Sequence, residues 1–542
     1  MRKKAKIALQ ILILMMLSFF VMMGFKVHYN NNVIGSAEIH KSLAVNYIDP
    51  FYFTDILVFV VAFTILGGIY LLIKRYYKNI QKFLITEKDY KMKPLYIWLI
   101  VTAILLVAWL PYLLSYAPGS FNYDGLASIT QYYTGEYNNH HPILYTLLVG
   151  FFLKIGDLVG NINIGIFLYS CFQYCLLAMT LSYVVTFLAK YKVKKIPLGL
   201  VATFFALCPI FPSYAIIMWK DPIFSMALLF LGLMLFDFAK NNFQGLKWYH
   251  YTLLVLCTLA VTFFRNNGVY ILILLIPIFY LLFRKPALKT SLAMLGALAI
   301  ALIVQGPIYS TLNIHKPSVE AFGVPLQQIA YAISTNEDSF TEEEKEFLSE
   351  IMPLESWKRA YTPLIVDNIK WDEDFNTEFF ESHLKEFLKI WALKIPSNFG
   401  GYVKAYLLET LGFWHPYYQN DHGYTERYLV AKNDYEIHEI DIIKKVTGKS
   451  LKNNLDKFRV MIGAGTMVFI MLFSLVISLD FQRKRIWLLY LTSLICWGLV
   501  MISTPTAFSL RYVFVLMLAT PIFIFCPFFK NEKSKNNDIM KK

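Results

Sequence analysis

Apolar runs of about twenty residues, the length that carries a helix across a hydrocarbon core, recur along this chain. Twelve stand out, at 7–24, 54–73, 95–114, 161–189, 197–217, 222–239, 250–264, 269–283, 289–309, 459–479, 486–503 and 512–529. The run 250–264 is among the shortest, and Trp248 and Tyr249 extend it into an interfacial aromatic belt. Between the runs lie basic strips: the N-tail, Lys74 to Lys93, Lys190 to Lys195, Arg284 to Lys289, Arg483 to Arg485, and the Lys-rich tail after Phe529. Lys and Arg are biased to the cytoplasmic side. Twelve crossings put every strip on that side, and both termini with them, whereas a missed or extra span scrambles the alternation. The pattern predicts an all-α, multi-pass protein of a cell membrane with about twelve transmembrane helices.

One apolar stretch breaks the count. Treating Pro142 to Gly156 as a crossing moves the strip Lys190 to Lys195 to the wrong side, so it reads as a half-embedded helix on the outer face. The N-terminus is charged and then apolar, like a signal peptide, but no small-x-small cleavage site follows, and it reads as a retained first span. The outer face then holds the loops 25–53 and 115–160, three short turns near 218–221, 265–268 and 504–511, and a polar segment at 310–458. That segment carries more acids than bases and is long enough for a small domain. It reads as helical: SFTEEEKEFLSEI opens with a hydroxyl cap and early acids. The stretch 381–414 reads as two amphipathic helices broken at Pro396 and Gly400-Gly401, lying on the membrane surface. The expected organisation is a membrane domain 1–309, the helical domain 310–458, three last spans in 459–529 and a basic tail 530–542.

Composition narrows the function classes. Only 16% of residues are charged, against roughly a quarter in soluble domains. The net charge of +14 lies in the topology strips, not in a basic surface interleaved with aromatics, so nucleic acid is not an expected partner. All six cysteines fall inside apolar runs and read as small packing residues.

The chemistry-bearing positions sit in the outer turns. Lys220 in MWKDP, Arg265 in FRNNG and Arg511 in SLRY each break the charge rule. The loop SFNYDGLASITQYYTGEYNNHHP adds Asp124, Gln131, His140 and His141. Each has a plainer reading: Asp124 as an Asp-Gly turn residue, the histidines as an interfacial turn, Lys220 as a snorkelling anchor. Asp221 before Pro222 reads as a helix cap with proline at N1, and Asn266-Asn267-Gly268 as a tight turn. One topology nevertheless brings them all to one leaflet, where three cations and a helix start suit an anionic, phosphorylated ligand. No nucleotide loop, zinc motif or serine elbow is present.

The first-loop pattern resembles the integral-membrane glycosyltransferases of the GT-C fold, which include protein O-mannosyltransferases and the aminoarabinose transferases of lipid A. Asp124 matches that family's acid after an early span. His141-Pro142-Ile143-Leu144-Tyr145 matches the start of its proline-led helix. Gly125 stands where many members carry a second acid, His-Pro stands where Pro-Pro is frequent, and the polar segment precedes the last three spans rather than following them. The chain with its WKDP, RNNG and late RY also resembles a family of Firmicute membrane proteins, domain of unknown function 6020. The GT-C resemblance implies an inverting transferase without a cofactor. It would take a sugar from a polyprenyl-phosphate donor to a cell-envelope polymer or glycolipid acceptor. Asp124 would be the general base, with Gln131, His140, His141, Lys220, Asp221, Arg265, Asn266 and Arg511 binding substrate. The competing expectations are a transporter or flippase for a lipid-linked or anionic solute, a polysaccharide polymerase, and a structural or sensory membrane protein.

Overall fold

The computed structural model describes residues 3–30, 51–314, 319–416, 430–457, 462–482, 484–503, 506–507 and 509–530. The loop 31–50, Arg483 and the tail 531–542, which carry some of the sequence expectations, lie outside them. Among the described residues the structure is helical, with isolated β-bridges and no strand. The membrane part comprises α1 (Lys3–Asn30), α2 (Phe53–Leu84), α3 (Pro94–Ser115), α4 (Tyr123–Thr134), α5 (Ile143–Val159), α6 (Ile162–Lys190), α7 (Lys195–Leu207), α8 (Ile210–Ile216), α9 (Lys220–Lys240), α10 (Trp248–Phe263), α11 (Gly268–Phe283) and α12 (Leu288–Ile303). The polar segment holds α13 (Gly323–Thr335), α14 (Glu342–Ile351), α15 (Leu354–Ala360), α16 (Asp367–Lys370), α17 (Thr377–Ser382), α18 (Leu384–Leu393), α19 (Ile395–Glu409), α20 (Ile442–Thr447) and α21 (Lys452–Lys457). The chain ends with α22 (Ala464–Phe481), α23 (Leu488–Ile502) and α24 (Phe514–Phe525).

Nine of the described helices, some extended by a flanking turn, are long and apolar enough to cross a membrane, which makes this a multi-pass membrane protein. They are α1, α2, α3, α6, α9, α12, α22, α23 and α24. The expected run 197–217 is a pair, α7 and α8, bent by 53°. Cys208, which precedes Pro209, takes an extended conformation there, as a residue before proline prefers. The runs 250–264 and 269–283 are α10 and α11, each of 16 residues. The stretch after Pro142 forms α5, a separate helix packed on α4 and α6. Gly156 and Gly165 let α5 and α6 approach: a Cβ on Gly165 would lie 2.6 Å from the Phe152 carbonyl.

Of the nine candidate spans, α9 and α24 are the most enclosed, and they pack on each other and on α6. Several buried polar side chains in the membrane part find partners inside the bundle, as an apolar slab favours. Gln173 donates to the carbonyls of Tyr214 (2.8 Å) and Ile217 (2.6 Å), and Gln10 donates to Val476 O (3.0 Å). Lys26 and Asp55 form a buried pair at 2.7 Å.

Described residues of the basic strips gather at one end of the bundle. Lys74 pairs with Asp480 and Lys190 with Asp237, both at 2.7 Å. Arg485 donates to the Lys240 carbonyl at 3.1 Å, and Lys530 pairs with Glu87 at 2.8 Å. The polar segment sits at the other end. Its core is built from Leu326, Ile329, Leu348, Trp357, Ile369, Phe380, Phe387 and Leu408, all buried. The predicted cap is present: Thr341 accepts from Glu344 N at 3.3 Å, and Glu344 accepts from Thr341 N at 2.8 Å. The predicted break at Gly400-Gly401 is not. α19 runs through both glycines, and the discontinuity lies between Leu393 and Ile395, with a second non-helical residue at Asn398. Gly401 instead admits the Tyr331 ring, 2.7 Å from where its Cβ would be. Backbone bonds lace the segment to the bundle: Ala431 N to Phe121 O (3.0 Å), Gly412 N to Ala507 O (2.6 Å) and Ala507 N to Leu364 O (2.8 Å).

Candidate functional site

Between the bundle and the polar segment lies a cavity of about 470 Å³, within the roughly 300–1,000 Å³ of small-molecule sites. Its lining includes Asp124, His140, His141, Lys220, Asp221, Arg265, Asn266 and Arg511. Eight of the nine site residues read from the sequence therefore meet in one place, from positions up to 387 apart along the chain. Gln131 does not: its amide is used on Asn138, at 3.3 and 3.4 Å, and closes the turn after α4.

Local sequence explains the placement. Asn122 caps α4, accepting from Asp124 N at 3.1 Å and from the Trp219 indole at 2.9 Å. Asp124 is thus in the first turn of a helix, not a free turn residue. Gly125 is small because it must be: an added Cβ would lie 2.7 Å from the Phe121 Cβ and 3.1 Å from the Met218 carbonyl. Helix α9 begins at Lys220 with Trp219 as its cap, two residues earlier than the Asp-Pro signal predicts. Asp221 is therefore not a cap. It is 1% exposed and faces Arg265 at 3.5 Å. Gly268 closes the turn after α10, where a Cβ would lie 1.8 Å from the Val261 carbonyl. Asn266 donates to the Asn139 carbonyl at 2.7 Å and so pins that turn to the histidine loop.

The three cations differ. Arg265 is buried, donates to the Tyr512 carbonyl at 2.7 Å and lies over the Phe224 and Tyr512 rings. Arg511 pairs with Asp124 at 2.5 Å and donates to the Tyr512 hydroxyl at 3.1 Å. Lys220 bonds the Nδ1 of His141 at 3.0 Å. A charged ammonium can only donate, so that nitrogen carries the lone pair and His141 is neutral. Burial and the Lys220 charge hold His141 far below the usual histidine range, and the same two causes lower His140. Burial pushes Asp124 up, but the charges of Arg511 and Lys220 prevail and hold its carboxyl well below the usual range.

The wall opposite comes from the polar segment and was not singled out in the sequence. It presents Glu320, Asp367, Trp371, Phe322 and Leu384. Lys370 stands behind it, buried, bonding Glu320 at 2.9 Å and Asp367 at 2.7 Å. Among the described residues, no group of His, Cys, Asp or Glu has the arrangement of a metal site.

The fold and cavity define a multi-pass membrane protein with an ion-paired pocket roofed by an inserted helical segment. A family model, described as a family of unknown function (DUF6020), matches residues 134–541, so the chain belongs to that family. His140, His141, Lys220, Arg265 and Arg511 fall within the match, and Asp124 lies just before it. No curated protein and no solved structure matches the chain.

Proposed function

We propose that the protein is a GT-C-like, inverting glycosyltransferase with twelve crossings and both termini cytoplasmic. It moves a sugar from a polyprenyl-phosphate donor to a cell-envelope acceptor on the outer face of the membrane. The observation that carries the reading is the convergence of one half-buried carboxylate, Asp124, with Lys220, Arg265, Arg511 and a neutral histidine pair around a single cavity.

In this reading an acceptor hydroxyl attacks the anomeric carbon. Its proton goes to Asp124, the bond from that carbon to the phosphate oxygen breaks, and the phosphate leaves with its electron pair. Lys220 and Arg511 neutralise the leaving charge, and Arg265 fixes the turn behind them. While Arg511 holds Asp124, the carboxylate is a weak base. A donor phosphate that draws Arg511 onto its own oxygens restores the basicity when it is needed. The cations stand at helix ends rather than within spans: Lys220 begins α9, Arg265 follows α10 and Arg511 precedes α24. That position favours transfer at a surface over carriage through the bilayer, and over the flippase alternative with it.

The test is reconstitution in vesicles with a short-chain prenyl-phosphate sugar and a cell-envelope fraction. Transfer that is lost in Asp124→Asn and in Lys220→Met, with both variants folded, supports the reading. Undiminished transfer in Asp124→Asn sinks the base assignment.

A further inference from the structure

The cavity has two chemically different walls. The bundle wall carries the cations. The facing wall carries two carboxylates and an indole, all contributed by the polar segment. We propose that this second wall is a sugar-ring subsite, so that the polar segment reads the glycosyl group of the ligand while the bundle holds its phosphate. The inference rests on the glycosyl-phosphate reading above and names what selects the sugar.

The carboxylates are fixed and only partly used. One buried ammonium, Lys370, takes a single oxygen of each, Oε2 of Glu320 at 2.9 Å and Oδ1 of Asp367 at 2.7 Å. The attraction of Asp367 and Glu320 outweighs burial and raises the Lys370 pKa, so it stays charged. The remaining Glu320 oxygen, Oε1, is sealed from solvent and makes no hydrogen bond. His140 Nδ1 lies 3.9 Å from it and is itself without a hydrogen bond. A buried acceptor left unmade is unfavourable, and since the Glu320 side chain is 32% exposed, it gains by turning that oxygen toward a donor that a ligand in the cavity supplies.

Trp371 completes the surface. It is 58% exposed, lines the cavity, and meets the His140 ring edge-on at 5.3 Å. An open indole beside fixed acceptors suits a pyranose: hydroxyls donate to the carboxylates, and an apolar C–H face lies on the ring. A second phosphate does not suit this wall, since Glu320 and Asp367 repel it. A divalent cation does not suit it either, since Lys370 already takes one oxygen of each acid.

The experiment uses the full-length protein in nanodiscs and three probes: inorganic phosphate, a hexose 1-phosphate and the neutral methyl glycoside of the same sugar. The wild type is expected to bind hexose 1-phosphate about tenfold more tightly than phosphate, the effect of about 1.4 kcal/mol. Glu320→Gln and Trp371→Ala should reduce that preference to near unity and leave phosphate affinity within about twofold, on the arithmetic of one lost hydrogen bond or stacking contact. Gln can still accept from Lys370, and Trp371 is exposed, so both variants should fold. Equal affinity for the two phosphates in the wild type, or an unchanged preference in both variants, overturns the sugar subsite. Phosphate that fails to bind, or binds Lys220→Met equally well, overturns the phosphate wall instead. In that case methyl glycoside binding decides the sugar wall: loss in Trp371→Ala supports it, and no binding to the wild type refutes it.

Discussion

Replacing Asp124 with Asn should tighten phosphate binding while it abolishes transfer. In the ligand-free protein the Asp124 carboxylate holds Arg511 at 2.5 Å. A phosphate entering the cavity must compete for that guanidinium and approach a like charge. At a charge separation of about 4 Å and an effective dielectric constant of about 20, such a pair is worth roughly 4 kcal/mol. The side chains of Arg511 and Asp124 are 16% and 31% exposed, so solvent screening brings the figure down to roughly 1–2 kcal/mol. Asn keeps the shape, releases Arg511 and removes the repulsion. The dissociation constant for inorganic phosphate should therefore fall about 5- to 30-fold. Isothermal titration of the nanodisc-embedded protein at neutral pH measures it. Weaker binding in Asp124→Asn would refute the argument, because it would mean that Asp124 serves to orient Arg511 for the ligand.

Three further expectations follow from buried groups. Arg265→Gln strands Asp221, which is 1% exposed, and should cost about 3–5 kcal/mol of stability; the double variant Asp221→Asn/Arg265→Gln should recover much of it, and additive losses in denaturation would refute the pairing. Glu409 is fully buried with neither oxygen hydrogen-bonded, and burial raises its pKa well above 4.5. The folded state then keeps a proton that the unfolded chain sheds, so stability falls as pH rises above about 4.5, by up to about 1.4 kcal/mol per unit until the folded pKa is reached. Glu409→Gln should remove that slope, and parallel stability curves from pH 5 to 8 would disprove it. Gly125→Ala should displace α4 from Phe121 and Met218 at a cost of about 1–3 kcal/mol, read as a lower melting temperature together with weaker phosphate binding.

The membrane architecture was legible because apolar length and basic strips are one-dimensional signals. Nine of the twelve expected runs are long helices, and the other three are a proline-broken pair and two short helices. The cations were legible for the same reason: Lys220, Arg265 and Arg511 stand out against a charge rule that operates along the chain. What failed was local. Asp-Pro looked like a cap, but α9 starts two residues earlier, and Asp221 faces the Arg265 charge instead of a backbone amide. Gly400-Gly401 looked like a break, but the space is filled by Tyr331. Glu320, Asp367 and Trp371 were hidden among the many acids and aromatics of the polar segment, since nothing in a sequence marks which of them a fold will turn toward a distant wall. Lys370, the least exposed cation among the described residues of that segment, reads in sequence as one more surface lysine.

The Asp124–Arg511 pair also bears on biosynthesis. Its two halves are separated by 387 positions, so the pocket cannot exist while the chain is still emerging from the ribosome. Until α24 has been inserted, the early carboxylate lacks its Arg511 partner and the roof has no Ala507 to anchor it. A nascent or prematurely terminated polypeptide lacks the complete pocket, which closes only with the final helix.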